Sequence, residues 1–154
     1  MNKIATKILI TGSNGLLGQK LVSLCKNKNI EFLATSKGKN RNENLSELDF
    51  VELDICSKKQ IDKVIDDFKP DYLIHTAAIT NVDYCELNPD ECDKTNRIAS
   101  SILFDACKKR KIHFQLLSTD FVFDGQKGNY KENDKPNPLS IYAKSKVDAE
   151  NVLL

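Results

Sequence analysis

No excess of charge of either sign runs through this 154-residue chain: 23 lysines and arginines stand against 22 aspartates and glutamates, so no global field draws it to nucleic acid or to a membrane surface. No apolar stretch approaches the ~20 residues of a membrane span. The opening MNKIATKILI runs into a strand pattern without a signal-peptide apolar block or a small-residue cleavage site, so the expected compartment is the cytoplasm. Cys-x-x-Cys pairs are absent, and the five cysteines (Cys25, Cys56, Cys85, Cys92 and Cys107) are odd in number. That disfavours a disulfide framework or a zinc site and reads as reduced thiols, several of them buried. The two histidines, His75 and His113, are far apart in sequence and give metal ligation nothing specific to rest on. Internal repeats, low-complexity tracts and linkers are also missing, and residues 1–154 read as one domain with room for a core.

What is present is organised around residues 7–21, KILITGSNGLLGQKL. A short apolar run meets Gly12, Gly15 and Gly18 at three-residue intervals, and an apolar-periodic segment follows through Leu16, Leu21 and Leu24. This predicts a strand, a tight turn and a helix start. Glycine is needed where the backbone turns with positive φ, where main-chain N–H groups approach a pyrophosphate, and where helix and strand pack closely. The helix N-terminus adds unpaired N–H donors and a positive dipole end. Placed after a strand and before a helix, the triplet points to dinucleotide binding.

Strand and helix patterns then alternate. Residues 30–35 (IEFLAT), 48–53, 71–75 (DYLIH) and 112–117 read as strands, and residues 57–68, 90–110 and 141–154 as helices, with Ser57 as an N-cap and Pro70 as a stop. Residues 36–46 read as a polar, basic connection and residues 124–140 as a loop rich in Gly, Pro and Asn. Alternation implies parallel pairing with right-handed crossovers, hence a doubly wound parallel α/β sheet of strand order 3-2-1-4-5. Its ligand crevice is expected outside the carboxyl ends of the strands, at the switch point between strands one and four. The candidate site residues are therefore those that follow each strand: 12–17, 36–41, Asp54 and Ile55, 75–80, and 118–123.

After the second strand an NAD-preferring site usually carries an acid for the ribose 2′-OH. Here Ser36 is followed by Lys37, Lys39 and Arg41, which would suit a 2′-phosphate or would simply face water. Asp54 could accept from an adenine amino group or cap the next helix. His75 could be catalytic, although a histidine at a buried strand end more commonly satisfies neighbouring backbone groups. Ala77 and Ala78 are small enough to let a flat cofactor lie against the backbone. Tyr142 and Lys146 stand at i and i+4, on one face of a helix. A lysine ammonium beside a phenol is expected to lower the tyrosine pKa from about 10 and make it a usable proton donor. Thr119, at the mouth of the fifth strand, offers a hydroxyl to a substrate oxygen.

TGSNGLLG at residues 11–18, HTAAITNVDYCE at 75–86, Asn96, STDFVFDG at 118–125 and YAKSK at 142–146 together resemble the extended short-chain dehydrogenase/reductases, and within them the dTDP-4-dehydrorhamnose reductases. The resemblance implies a Rossmann fold that binds NADPH or NADH, with NADPH slightly favoured by the basic residues. It implies Thr119, Tyr142 and Lys146 as the catalytic set and Asn96 as a support from a neighbouring helix. Cofactor contacts would come from Gly12, Ser13, Asn14, Gly15, Leu16, Leu17, Gly18, Ser36, Asp54, Ile55, Ala77, Ala78 and Ile79, besides Tyr142 and Lys146. Substrate contacts would come from Thr119, Asp120 and Phe121. The implied reaction is reduction of the 4-keto group of a dTDP-deoxysugar for surface polysaccharide; an epimerase or dehydratase of the same superfamily is the near alternative. A non-catalytic regulator resembling the regulatory subunit of methionine adenosyltransferase is the distant one. The expected partner is the nucleotide-sugar substrate, with neither nucleic acid nor membrane, and a homodimer is the oligomer to test. The family continues past its Tyr-x-x-x-Lys helix into a carboxy-terminal substrate lobe. The chain is accordingly expected to be the amino-terminal cofactor-binding part of a longer architecture, without turnover of its own.

Overall fold

The computed structural model describes residues 6–43 and 45–154. They divide into two compact units, one built from the residues up to Ala77 with Ile102–Leu117, the other from Ala78–Ser101 with Ser118–Leu154.

In the first unit, β1 (Lys7–Thr11), β2 (Glu31–Ser36), β3 (Phe50–Glu52), β4 (Tyr72–His75) and β5 (His113–Leu116) form one parallel sheet in the order β3-β2-β1-β4-β5, as the alternating pattern predicts. Leu9 of the central strand lies opposite Leu33 on one side and Leu73 on the other. Leu9 and Ile10 have no exposed surface, which is why the run reads as continuously apolar rather than alternating. Helix α1 (Leu16–Asn27) buries Gly18, Val22 and Cys25. Its apolar face is narrower than the leucine pattern suggests, for Leu16 and Leu24 are exposed. Val22 and Cys25 join Ile10, Ala34 and Leu45 in one core cluster. Helix α2 (Lys58–Phe68) opens on Ser57, whose hydroxyl accepts from the Gln60 N–H, and buries Ile61, Val64 and Ile65. It stops one residue before Pro70: Lys69 turns left-handed at φ 52 and donates its N–H to the Ile65 carbonyl at 2.8 Å.

The second unit departs from the expected pattern. Residues following β4 form a short helix α3 (Val82–Leu87), capped by Asn81, whose Oδ1 accepts from the Tyr84 N–H at 2.8 Å. The helix expected over residues 90–110 is three segments: α4 (Pro89–Asp93), a π-helical turn (Lys94–Ile98), and α5 (Ala99–Arg110), whose residues from Ile102 onward belong to the first unit. The wider π turn carries Asn96, which is buried. After a 3₁₀ turn at Asp120–Val122, residues 124–140 are irregular and lead into α6 (Ile141–Leu153). Ser140 opens α6 by accepting from the Ala143 N–H at 3.1 Å, and the helix buries Tyr142, Ala143, Ser145, Lys146 and Ala149. Among the described residues, no helix is long and apolar enough to cross a membrane, and no group of three or more His, Cys, Asp or Glu could hold a metal ion.

Candidate active site

The glycine loop of the first unit is built as a cradle. Gly12 has φ +75, and a Cβ there would sit 2.6 Å from the Ala77 nitrogen. A Cβ on Gly18 would sit 2.3 Å from the Gly12 carbonyl oxygen, whereas one on Gly15 would meet that oxygen only at 3.3 Å. Gly12 thus lets the loop turn against the end of β4, and Gly18 lets α1 close onto the loop. Gly15 is the N-cap of α1, and Gln19 N to Gly15 O at 2.9 Å is the first bond of the helix. The preceding helical N–H groups have no acceptor within the helix and can serve an anion. Among the described residues, Ser13 Oγ is the buried side-chain nitrogen or oxygen that has no hydrogen-bond partner. Leu16 is 82% exposed and Leu17 45%.

Several of the other predicted contacts of this unit have partners within the protein. Asn14 spans 25 residues to the basic segment: its Nδ2 donates to the Lys39 carbonyl at 3.0 Å and its Oδ1 accepts from the Arg41 N–H at 2.9 Å. Sequence reasoning missed this clasp, because nothing local signals it. Ser36 ends β2, and its carbonyl accepts from Leu53 N at 3.0 Å. Asp54 does not cap α2, since Ser57 does; its Oδ1 accepts from the Cys56 N–H at 2.9 Å and its Oδ2 lies 3.6 Å from Lys37 Nζ. The Cys56 bond, helped by Lys37, holds the Asp54 carboxyl below the usual range. Ile55 is buried. His75 is buried too, with Nδ1 2.7 Å from Thr11 Oγ1, which is the structural of its two readings.

In the second unit, α6 brings Tyr142 and Lys146 to one buried face, 8% and 4% exposed. Thr119 caps the 3₁₀ turn, its Oγ1 accepting from the Phe121 N–H at 3.2 Å, and its hydroxyl acts on the Tyr142 phenol to favour the charged form. The Phe121 ring stands edge-on to Tyr142, centroids 6.2 Å apart. The pKa expectation is corrected: burial pushes the Tyr142 phenol above its ordinary value, with the Thr119 bond pulling the other way. Burial also pushes the Lys146 ammonium down, against the pull of Glu150. Spacing placed the two side chains on one face, but desolvation disfavours the charged form of both and outweighs what spacing suggests.

Asn96 supports this helix through its side-chain amide. Its Oδ1 accepts from Ile79 N at 2.8 Å, and its Nδ2 donates to Ile79 O at 2.9 Å and to Ser145 Oγ at 3.0 Å. Ser145 in turn donates to the Tyr142 carbonyl at 2.7 Å. Cys85 and Cys92 pack with Tyr142, and burial raises the Cys85 thiol to about 12, making it an inert wall rather than a nucleophile. A cavity of about 720 Å³ opens beside α6, lined by Asp120, Phe121, Phe123, Tyr130, Leu139 and Ala143. Its far wall is rigid: Phe123 and Tyr130 stack at 4.4 Å, and the Tyr130 hydroxyl donates to Asp124.

A parallel sheet with this glycine cradle, joined in one chain to a Thr and a Tyr-x-x-x-Lys helix, defines the class of short-chain dehydrogenase/reductases. Within it the chain belongs to the family described as RmlD substrate binding domain, which matches residues 6–154. The dTDP-4-dehydrorhamnose reductase of Aggregatibacter actinomycetemcomitans is 39% identical over 150 residues, covering 96% of this chain and 47% of its own. Methionine adenosyltransferase 2 subunit beta of Danio rerio is 33% identical over 153 residues, covering 96% of this chain and 43% of its own. The solved structure of dTDP-4-dehydrorhamnose reductase from Bacillus anthracis in complex with NADP superposes with a TM-score of 0.83 at 28% identity, covering 99% of this chain and 50% of that one. The chain spans about half the length of the curated relatives it matches.

Proposed function

We propose that residues 1–154 are the NAD(P)-binding part of a reductase that converts the 4-keto group of a dTDP-deoxysugar, dTDP-4-dehydro-L-rhamnose, to the alcohol. The observation that carries this reading is the placement of Tyr142 and Lys146 on one buried face of α6, 8% and 4% exposed, with the Thr119 hydroxyl acting on the Tyr142 phenol. The residues of the first unit fit a nicotinamide dinucleotide. The cradle that a Cβ on Gly12 or Gly18 would fill leaves room for backbone to approach a pyrophosphate, and the unpartnered Ser13 Oγ is a donor for it. Lys37, Lys39 and Arg41 suit a 2′-phosphate, so NADPH is the favoured cofactor, and a relative is solved with NADP. When bound, the reduced nicotinamide supplies the hydride.

The protein's own residues handle the proton and the oxygen. Tyr142 keeps its proton on Oη until the carbonyl oxygen takes it, and the raised pKa holds the phenol protonated at neutral pH until a cation and a developing alkoxide draw on it. Thr119 holds the same oxygen by its hydroxyl, strengthening as negative charge develops. Lys146 supplies the positive charge that makes the phenol a better acid and bonds the cofactor ribose. Asp120 and Phe121 border the sugar. We propose a cytoplasmic location for the enzyme, with a homodimer as the oligomer to test.

A second reading, a cofactor-binding regulatory subunit without turnover, is favoured by the methionine adenosyltransferase relatives. One experiment separates the two: NADPH oxidation is followed by its absorbance with dTDP-4-dehydrorhamnose, in the longest natural form of the chain and in Tyr142→Phe. The reductase reading expects turnover that Tyr142→Phe lowers by about 10²–10⁴ with cofactor affinity little changed. NADPH binding without turnover supports the regulator. Turnover in Tyr142→Phe within about twofold of the native rate overturns the assigned chemistry.

A further inference from the structure

Tyr142 and Lys146 are the first two rungs of a longer ladder on α6. Glu150 stands another four residues on, so the three side chains repeat at i, i+4 and i+8 along one side of the helix. The Glu150 carboxylate is not idle: its Oε1 accepts from the hydroxyl of Ser118. Ser118 directly precedes Thr119, and Thr119 reaches the Tyr142 phenol. Two adjacent residues of one extended segment therefore meet the helix at positions eight residues apart, Ser118 by a hydrogen bond to an acid and Thr119 by its action on the Tyr142 phenol. Between those two positions lies Lys146, 4% exposed. An ammonium at that depth is costly without a nearby negative charge. Glu150 supplies such a charge from the next turn, and it acts to hold the Lys146 proton while burial acts to remove it. The other ionisable groups of this unit near the pair, Cys85, Cys92 and Asp120, act on the Tyr142 phenol.

We propose that Glu150, clamped by Ser118, is a positioning residue that keeps the buried Lys146 an ammonium and ties α6 to the segment presenting Thr119. Its catalytic meaning rests on the reductase reading above, but the charge on Lys146 can be measured without any turnover. A carboxylate in this place lets the lysine be deeply buried and still cationic, as both ribose binding and assistance to the phenol require. A hydroxyl clamp on that carboxylate fixes where the counter-charge sits, so a change at Ser118 is transmitted to Lys146 through Glu150.

The test is the titration of Lys146 itself, read by NMR on lysine-labelled protein, with the resonance assigned by its loss in Lys146→Arg. Glu150→Gln keeps the size of the side chain and its ability to accept from Ser118 but removes the charge, and should lower the Lys146 midpoint by about one pH unit. Ser118→Ala should lower it by less, and Ser118→Thr, which keeps the hydroxyl, should restore it. In the full-length form, Glu150→Gln should weaken NADPH binding and turnover together, following the loss of lysine charge at the assay pH. A Lys146 midpoint within ~0.2 pH unit of native in a folded Glu150→Gln would overturn the proposal. If Glu150→Gln does not fold, the Ser118→Ala and Ser118→Thr pair decides by the same midpoint, with equal values for both refuting the clamp. A shifted midpoint in a full-length form that turns over no sugar nucleotide would keep the proposal and sink the reductase reading instead.

Discussion

The three glycines of the cradle are equally spaced in sequence, yet the structure ranks them sharply, and alanine at each position turns that ranking into a measurement. At Gly15 the backbone is ordinary, φ −80, and a Cβ meets the Gly12 carbonyl at 3.3 Å, so alanine needs a shift of a few tenths of an ångström and little more. At Gly18 the new carbon would lie 2.3 Å from that carbonyl oxygen and 2.7 Å from the Ser13 Cα, both backbone atoms that cannot rotate aside. Overpacking of this kind costs about 1–3 kcal/mol, and backbone at this distance places it at the upper end. Alanine recovers about 1 kcal/mol of helix propensity, leaving a net loss of about 2 kcal/mol. At Gly12 there is no recovery: φ +75 adds about 1–2 kcal/mol of left-handed strain to the 2.6 Å clash with the Ala77 nitrogen, for a loss of about 3–5 kcal/mol. Urea unfolding followed by circular dichroism reads the difference. With a slope of about 2 kcal/mol/M, Gly18→Ala should move the midpoint down by about 1 M and Gly12→Ala by more, while Gly15→Ala stays within about 0.3 M. A Gly18→Ala protein as stable as the native one, or Gly15→Ala as the worst of the three, would refute the packing argument.

Asn96→Leu should cost about 2–4 kcal/mol in a thermal or urea melt, because it strands the Ile79 N–H and removes the amide donor from the Ile79 carbonyl and the Ser145 hydroxyl; Asn96→Asp, which can accept from Ile79 N but not donate, should fall between it and the native protein. The Asp124 carboxyl, lowered from 3.8 to about 2 first by the Tyr130 hydroxyl and then by Asn137, contributes to its loop at every pH above about 3.8, a contribution lost as pH falls through about 2. Carboxyl NMR checks this directly, and an Asp124 midpoint near 4 would contradict it. Neutralising Lys37, Lys39 and Arg41 together should reduce the preference for NADPH over NADH by about tenfold or more in a fluorescence titration, about 1.4 kcal/mol. An unchanged ratio would assign those side chains to solvent.

The sheet was legible because each strand is short, apolar and followed by a helix with its own periodicity, which leaves one economical order for five parallel strands. The elements that escaped have physical excuses. Helix α3 is only six residues long and follows a strand exit, where its single signal is the Asn81 cap. The π turn at Lys94–Ile98 inserts within an otherwise regular helical pattern and leaves no mark in composition. The shared face of Tyr142 and Lys146 was readable from their spacing, but the direction of the Tyr142 pKa was not, since it depends on how much protein covers the phenol. The partners of Asn14 and of Glu150 lie 25 to 32 residues away in sequence, a separation at which periodicity carries no information.

The Asn14 clasp changes how the first unit meets a ligand. A basic segment hanging free would have to be immobilised at the moment of binding, at about 1–2 kcal/mol of backbone entropy for each residue ordered. Here residues 39–41 are already moored to the glycine loop by two hydrogen bonds of 2.9 and 3.0 Å. On the proposed cofactor reading, the entropy is lost once, during folding, and affinity at that end of the dinucleotide would be governed by preorganisation rather than by charge alone. Selectivity at the ribose and grip on the phosphates would thereby become one mechanical property of the protein, so a residue that touches no 2′-substituent could still set how strongly one is preferred.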